Sequence, residues 1–229
     1  MRIGVIVAME KELTQIVRLF SDATEQSIDG HTFTVGHLDG GKEIVVMQCG
    51  IGKVNAAIGA VELIKAFKPQ LVISTGVAGG ADTTLNVRDV VVSTACCYHD
   101  AYCGTECAYG QILGMPERFL TPENLTQVAT SLPCNVKVRP GLIVSGDWFV
   151  DSRQKMSDIL THFPEAMAVD MESCAIAQTC HAKNTPFVSF RIISDVPLKD
   201  CKAEMYYNFW EQMAEGSFEV TKAFLTQLA

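Results

Sequence analysis

The sequence predicts an α/β fold with a mixed central β-sheet flanked by helices. Two observations predict it. Short apolar runs rich in β-branched residues alternate with stretches of helical periodicity. No linker, repeat or low-complexity tract divides the 229 residues, so a single domain over 1–229 is expected.

Arg2 to Ala8 is an apolar run of the kind buried on both faces of a sheet. Glu10 to Phe20 follows as a helix, with Leu13, Ile16, Val17 and Phe20 at helical spacing. Thr32 to Leu38 and Glu43 to Gln48 flank Asp39-Gly40-Gly41, a hairpin signal because a tight turn needs positive φ. Gly50-Ile51-Gly52-Lys53 opens a helix that runs to about Phe67 and is ended by Pro69. Gln70 to Thr75 reads as a strand, and Gly76 to Gly80 as a small-residue loop after it. Further strands are expected at Asp89 to Thr94, Val138 to Ser145, Ala166 to Val169 and Pro186 to Ile193. Helices are expected at Pro122 to Ser131, Ser152 to Thr161, Met171 to Lys183 and Glu204 to Leu228.

Composition narrows the function classes. Lys and Arg number 18 against 26 Asp and Glu, a formal charge of −8. Nucleic acid and anionic membranes both reward clustered positive charge, so neither is expected as a partner. No stretch approaches the ~18 apolar residues of a membrane helix, and the first residues do not read as a signal peptide. Nine cysteines cannot all pair internally, which suggests reduced thiols and a cytoplasmic protein. Cys103-x-x-x-Cys107 near His99 lacks the second ligand pair of a structural zinc site, so no metal is expected.

In sheets of this kind ligands gather beyond the carboxyl ends of the strands. Met9 to Glu12, Gly76 to Gly80, Asp170 to Glu172 and Ser194-Asp195 fall there. They offer carboxylates, glycine-rich backbone and apolar walls, but no nucleophile paired with a base and no histidine-rich metal set. Gly50-x-Gly52 is only a fragment of a dinucleotide fingerprint and follows a hairpin, which argues against NAD. Taken alone, Glu12 and Glu172 would be ordinary helix-start acids and Asp195 an ordinary turn residue.

Together these segments carry a resemblance. Ala8-Met9-Glu10-Lys11-Glu12, Gly50 to Ala57, Ser74 to Gly80, Gly141 to Asp147, Val169-Asp170-Met171-Glu172-Ser173 and Arg191 to Asp195 occur in the order of the 5'-methylthioadenosine/S-adenosylhomocysteine nucleosidases. The sequence resembles that family, within the nucleoside phosphorylase and hydrolase group, over nearly its whole length. The resemblance implies a three-layer α/β/α fold, a homodimer, no cofactor, and cleavage of adenine from 5'-substituted adenosines. It implies Asp195 as the acid at adenine N7 and Glu12 as the base for water. Glu172 would bind the ribose hydroxyls, with Met171 against the sugar. Phe149 would stack on the base and the Val150 backbone would read its edge. Met9 and Ile51 would form apolar walls, Ala78 and Gly79 would bring backbone to the ribose, and Ser194 and Tyr206 complete the implied set.

Two departures matter. A phosphorylase needs arginine for phosphate, and Val72-Ile73-Ser74-Thr75 has none before the glycine loop; Arg191 lies inside a strand. Water is therefore the expected nucleophile. Residues 102–108 and Val77 differ from the family's usual pocket sequence, which leaves the preferred 5'-group open. A related purine nucleoside hydrolase or phosphorylase, such as a futalosine hydrolase, and a non-catalytic nucleoside-binding protein are the alternatives. His99 beside Asp100 reads as a structural hydrogen-bonded pair.

Overall fold

The computed structural model describes residues 1–199 apart from 21, 39–40 and 135, together with 209 and 218–228. The strands are β1 (Arg2–Val7), β2 (Thr24–Ile28), β3 (His31–Leu38), β4 (Lys42–Gln48), β5 (Leu71–Gly80), β6 (Val90–Tyr98), β7 (Phe119–Leu120), β8 (Val138–Ser145), β9 (Ala166–Asp170) and β10 (Phe187–Asp195). The helices are α1 (Glu10–Val17), α2 (Lys53–Phe67), α3 (Glu123–Thr130), α4 (Arg153–His162), α5 (Ser173–Ala182) and α6 (Glu219–Gln227).

The sheet is mixed, as expected. β4, β1, β5 and β10 run parallel, while β2, β3 and β4 form an antiparallel meander at one edge. Alternation along the central strands sends side chains to two cores. Ile6, Val45 and Val72 meet the α2 and α5 side with Ala60, Leu63 and Ile176. Ile3, Val5 and Ile73 meet the α1 and α6 side with Ile16, Phe224 and Leu225. Helices on both faces of one sheet make the three-layer α/β/α arrangement.

The sheet also curls back on itself. β10 pairs with β6, β6 with β8, β8 with β9, and β9 returns antiparallel to β5 through Gly79–Val169 and Gly80–Ala168. That last pairing corrects the sequence reading of Gly76 to Gly80 as a loop: β5 continues through these residues. Their small size lets β5 bend and be shared between β10 and β9, and tertiary pairing overrides weak strand propensity. Because β5 and β9 meet only near their carboxyl ends, both chains deliver their last residues to one place.

Other differences are local. Polar β2, with four of its five residues exposed, has no apolar alternation to announce it. The expected helix from Glu204 is described only over α6, and the turn at Asp39-Gly40 lies outside the described residues. Gly110 holds the 101–118 segment against β6, with φ at +88° and its N–H donating to the Ala101 carbonyl at 3.0 Å. A β-carbon there would strike the Tyr98 carbonyl oxygen and come within 2.7 Å of Cys97 Sγ. Gly110→Ala should lower stability by ~2–4 kcal/mol, read as a lower denaturant midpoint at unchanged m-value.

Candidate active site

The turn from β1 into α1 places Glu12 at the third helical position, where its carboxylate folds back over the helix start. Oε2 accepts from the Ala8 N–H at 2.9 Å and the Met9 N–H at 3.0 Å, and Oε1 accepts from the Val77 N–H at 3.0 Å. Glu12 is 1% exposed. Burial pushes its carboxyl above the ordinary range, opposed by the positive charge of Arg191 and by the three N–H donors. Gly76 makes this possible: a β-carbon there would sit 2.5 Å from both Glu12 Oε1 and Arg191 Nη1.

Asp195 ends β10. Its Oδ1 accepts from Ser194 Oγ at 2.7 Å, and burial raises its carboxyl to about 6 with only that hydrogen bond opposing. Glu172 lies between β9 and α5, and its Oε1 accepts from the Gly52 N–H at 2.9 Å, which ties it to the start of α2. Burial, then the negative charge of Asp170, raises Glu172 to about 7, while Arg191 pulls the other way.

These three carboxyls open onto one pocket. Met9, Ile51, Ala78, Gly79, Phe149, Val150, Met171 and Ser194 also line it. Tyr206 lies outside the described residues. The sequence reading missed Trp148 as a wall residue. It also missed the pairing beneath the pocket: Arg191 Nε donates to Asp170 Oδ2, and Nη2 donates to Ser74 Oγ at 2.7 Å. A lone arginine in the apolar strand Phe187 to Ile193 was the available signal, since a buried charge demands a partner.

His99 does not pair with Asp100 as expected. Asp100 instead accepts from Lys53 Nζ at 2.7 and 2.8 Å and from the Asp147 N–H at 2.9 Å. Asp147 Oδ1 in turn accepts from the Lys53 N–H at 2.8 Å, so the segment carrying Trp148, Phe149 and Val150 is tied to the start of α2. The buried His99 ring, with no hydrogen-bond partner among the described residues, packs edge-on against Trp148 at 5.4 Å between centroids.

The sequence profile of the phosphorylase superfamily matches residues 2–228. The chain belongs to that superfamily. Within it, the chain is 44% identical to a 5'-methylthioadenosine/S-adenosylhomocysteine nucleosidase from Staphylococcus aureus, over 99% of this chain and 100% of that one. The solved nucleosidase of the same description from Colwellia psychrerythraea, in complex with adenine, superposes with a TM-score of 0.91 at 35% identity, covering 100% of this chain and 96% of that one. The futalosine hydrolase of Helicobacter pylori superposes with a TM-score of 0.90 at 30% identity, covering 99% and 98%. The superfamily fold is therefore shared by hydrolases of differing substrate, and the pocket must decide between them.

The raised Asp195 has a stability consequence. The fold favours its protonated form, so this contribution is complete below the unfolded value near 3.8 and is lost as pH rises through about 6. Asp195→Asn should therefore raise the melting temperature at pH 8, by an amount equivalent to ~3 kcal/mol at most. Thermal melts should show the gain vanish below pH 4.

Proposed function

We propose that this enzyme hydrolyses the N-glycosidic bond of 5'-substituted adenosines such as 5'-methylthioadenosine, S-adenosylhomocysteine and 5'-deoxyadenosine, releasing adenine and the 5'-substituted ribose. One observation carries the reading: Glu12, Glu172 and Asp195 share a single pocket with apolar and aromatic walls.

Each group answers a demand of the reaction. Cleaving the bond gathers positive charge on the ribose and negative charge on the departing purine. Asp195, raised to about 6, holds a proton to give to purine N7. Glu12 takes the proton of the attacking water, and Glu172 accepts from the ribose hydroxyls. Two carboxyl groups, one acid and one base on opposite faces of the sugar, divide the work as in inverting glycosidases. Phe149 stacks on the base, the Val150 backbone reads its edge, and Met9, Ile51 and Met171 enclose the sugar and its 5'-group. Ala78, Gly79 and Ser194 bring backbone and hydroxyl to the ribose side.

Water rather than phosphate suits the site. Among the described residues, those lining the pocket include no lysine or arginine, and the nearby Arg191 is already engaged by Asp170. A phosphate dianion would meet four carboxyl residues with no free counter-charge among the described residues lining the pocket.

The enzyme works as a single-domain cytoplasmic homodimer in adenine and methionine salvage, without cofactor. Supporting the dimer are the exposed apolar residues Ile51, Val54 and Ile58 beside a groove between α2 and α5. The groove extends to Ala101 and Ile112 of the 101–118 segment, next to the exposed Tyr102 and Leu113.

Adenine release from 5'-methylthioadenosine should proceed at equal rates with and without phosphate, and Glu12→Gln and Asp195→Asn should each reduce kcat by 10² or more while adenine still binds. An absolute phosphate requirement would refute the hydrolase reading. Faster turnover of futalosine than of any 5'-substituted adenosine would favour the second substrate class. An ionisation near pH 6, that of Asp195, should appear in the wild-type kcat/KM profile and be absent from that of Asp195→Asn. Sedimentation of the wild type should give twice the 25.0 kDa chain mass, and Val54→Asp should return it to the monomer.

A further inference from the structure

Along one wall of the pocket, three carboxyls lie close to a buried guanidinium. Asp170 and Arg191 are 6% and 1% exposed, and Glu12 and Glu172 flank them. Asp170 meets hydrogen-bond donors on several sides. It accepts from Ser145 Oγ, from Ser173 Oγ, from the Ser173 N–H at 3.2 Å and from Arg191 Nε. Arg191 Nε also donates to Ser173 Oγ at 3.0 Å. The contacts around Gly76 place Arg191 Nη1 and Glu12 Oε1 no more than about 5 Å apart, within the range of direct charge interaction.

We propose that Asp170 is a positioning residue for the glycosidic reaction: it takes up the charge of Arg191 and holds the guanidinium beside Glu12 and Glu172. The inference rests on the site reading given above. With one cation and three buried carboxyls, full ionisation would leave two uncompensated negative charges. Asp170 takes the direct contact with Arg191, so Glu172 and Glu12, whose carboxyls face the substrate, are left with only the longer-range attraction of the guanidinium. Ser74 steers the other end of the guanidinium, and Gly76 leaves it room to reach Glu12.

The other titratable groups facing this cluster are Cys49 at the end of β4, Cys96 on β6, Cys174 on α5 and His99 at the end of β6. Burial raises the three thiols and lowers the imidazole, so all four are uncharged at neutral pH. The charge balance therefore belongs to Asp170, Arg191, Glu12 and Glu172 alone among the described residues.

Asp170→Asn removes a negative charge beside Glu172 and releases the full positive charge of Arg191 onto Glu12 and Glu172. Both carboxyls should then ionise at lower pH. The ionisation in the kcat/KM profile that belongs to Glu172 and Glu12 should move down by one pH unit or more, while that of Asp195 near pH 6 stays in place. Asp170→Glu should restore the wild-type position. Ser145→Ala, which removes one donor to Asp170, should shift it in the same direction by less and serves if Asp170→Asn does not fold. A folded variant with uniformly lower activity and an unmoved Glu172 and Glu12 ionisation would overturn the proposal and leave Asp170 a structural residue. Glu12→Gln is measured in parallel: wild-type turnover there would overturn the site reading itself, whatever Asp170 does.

Discussion

The active site depends on a buried ion pair between Asp170 and Arg191. Removing either partner from such a pair costs roughly 3–5 kcal/mol, because the other charge is left stranded in a poor solvent for ions. Here the pair is braced by Ser74, Ser145 and Ser173, from three different elements. It therefore links β5, β8, α5 and β10 at the level where their ends open to the ligand. The carboxyls above it inherit their protonation from that arrangement, since burial and a single nearby cation act on them in opposite senses.

Topology explains why so many polar groups converge. The parallel strands β1, β5 and β10 present their carboxyl ends on the same side, and the short antiparallel return of β9 onto β5 adds Asp170 and Glu172 from the facing direction. The backbone there has spent its hydrogen bonds on pairing, leaving the ends free to aim side chains. Glu12 is a case in point: it caps the start of α1, accepts from β5, and still reaches the pocket. One residue thus serves the fold and the site together.

Much of this was legible in the sequence, for identifiable reasons. Apolar runs and helical spacing marked the central strands and helices, because burial on both faces leaves a strong pattern. β2 was invisible because it is a polar edge strand, and the end of β5 was misread because its glycines suit both a loop and a shared, bent strand. The site carboxyls were marked by position, at strand ends. Arg191 and Asp170 were under-read because their role is pairwise: each gains meaning only when folding brings the end of β9 and the side chain of Arg191 on β10 together. His99 was over-read, since adjacency to Asp100 in sequence does not orient two successive side chains toward each other. Lys53, 47 residues away, took the aspartate instead.

The central claim is that burial at the end of β10 raises Asp195 to about 6, so that it keeps its proton above the ordinary aspartate range. The most direct measurement is a carbon-13 titration of the aspartate carboxyls, with Asp195 assigned from the spectrum of Asp195→Asn. The account predicts a transition for Asp195 at about pH 6 in the free enzyme. A transition at or below the ordinary aspartate value of about 3.9 would contradict it.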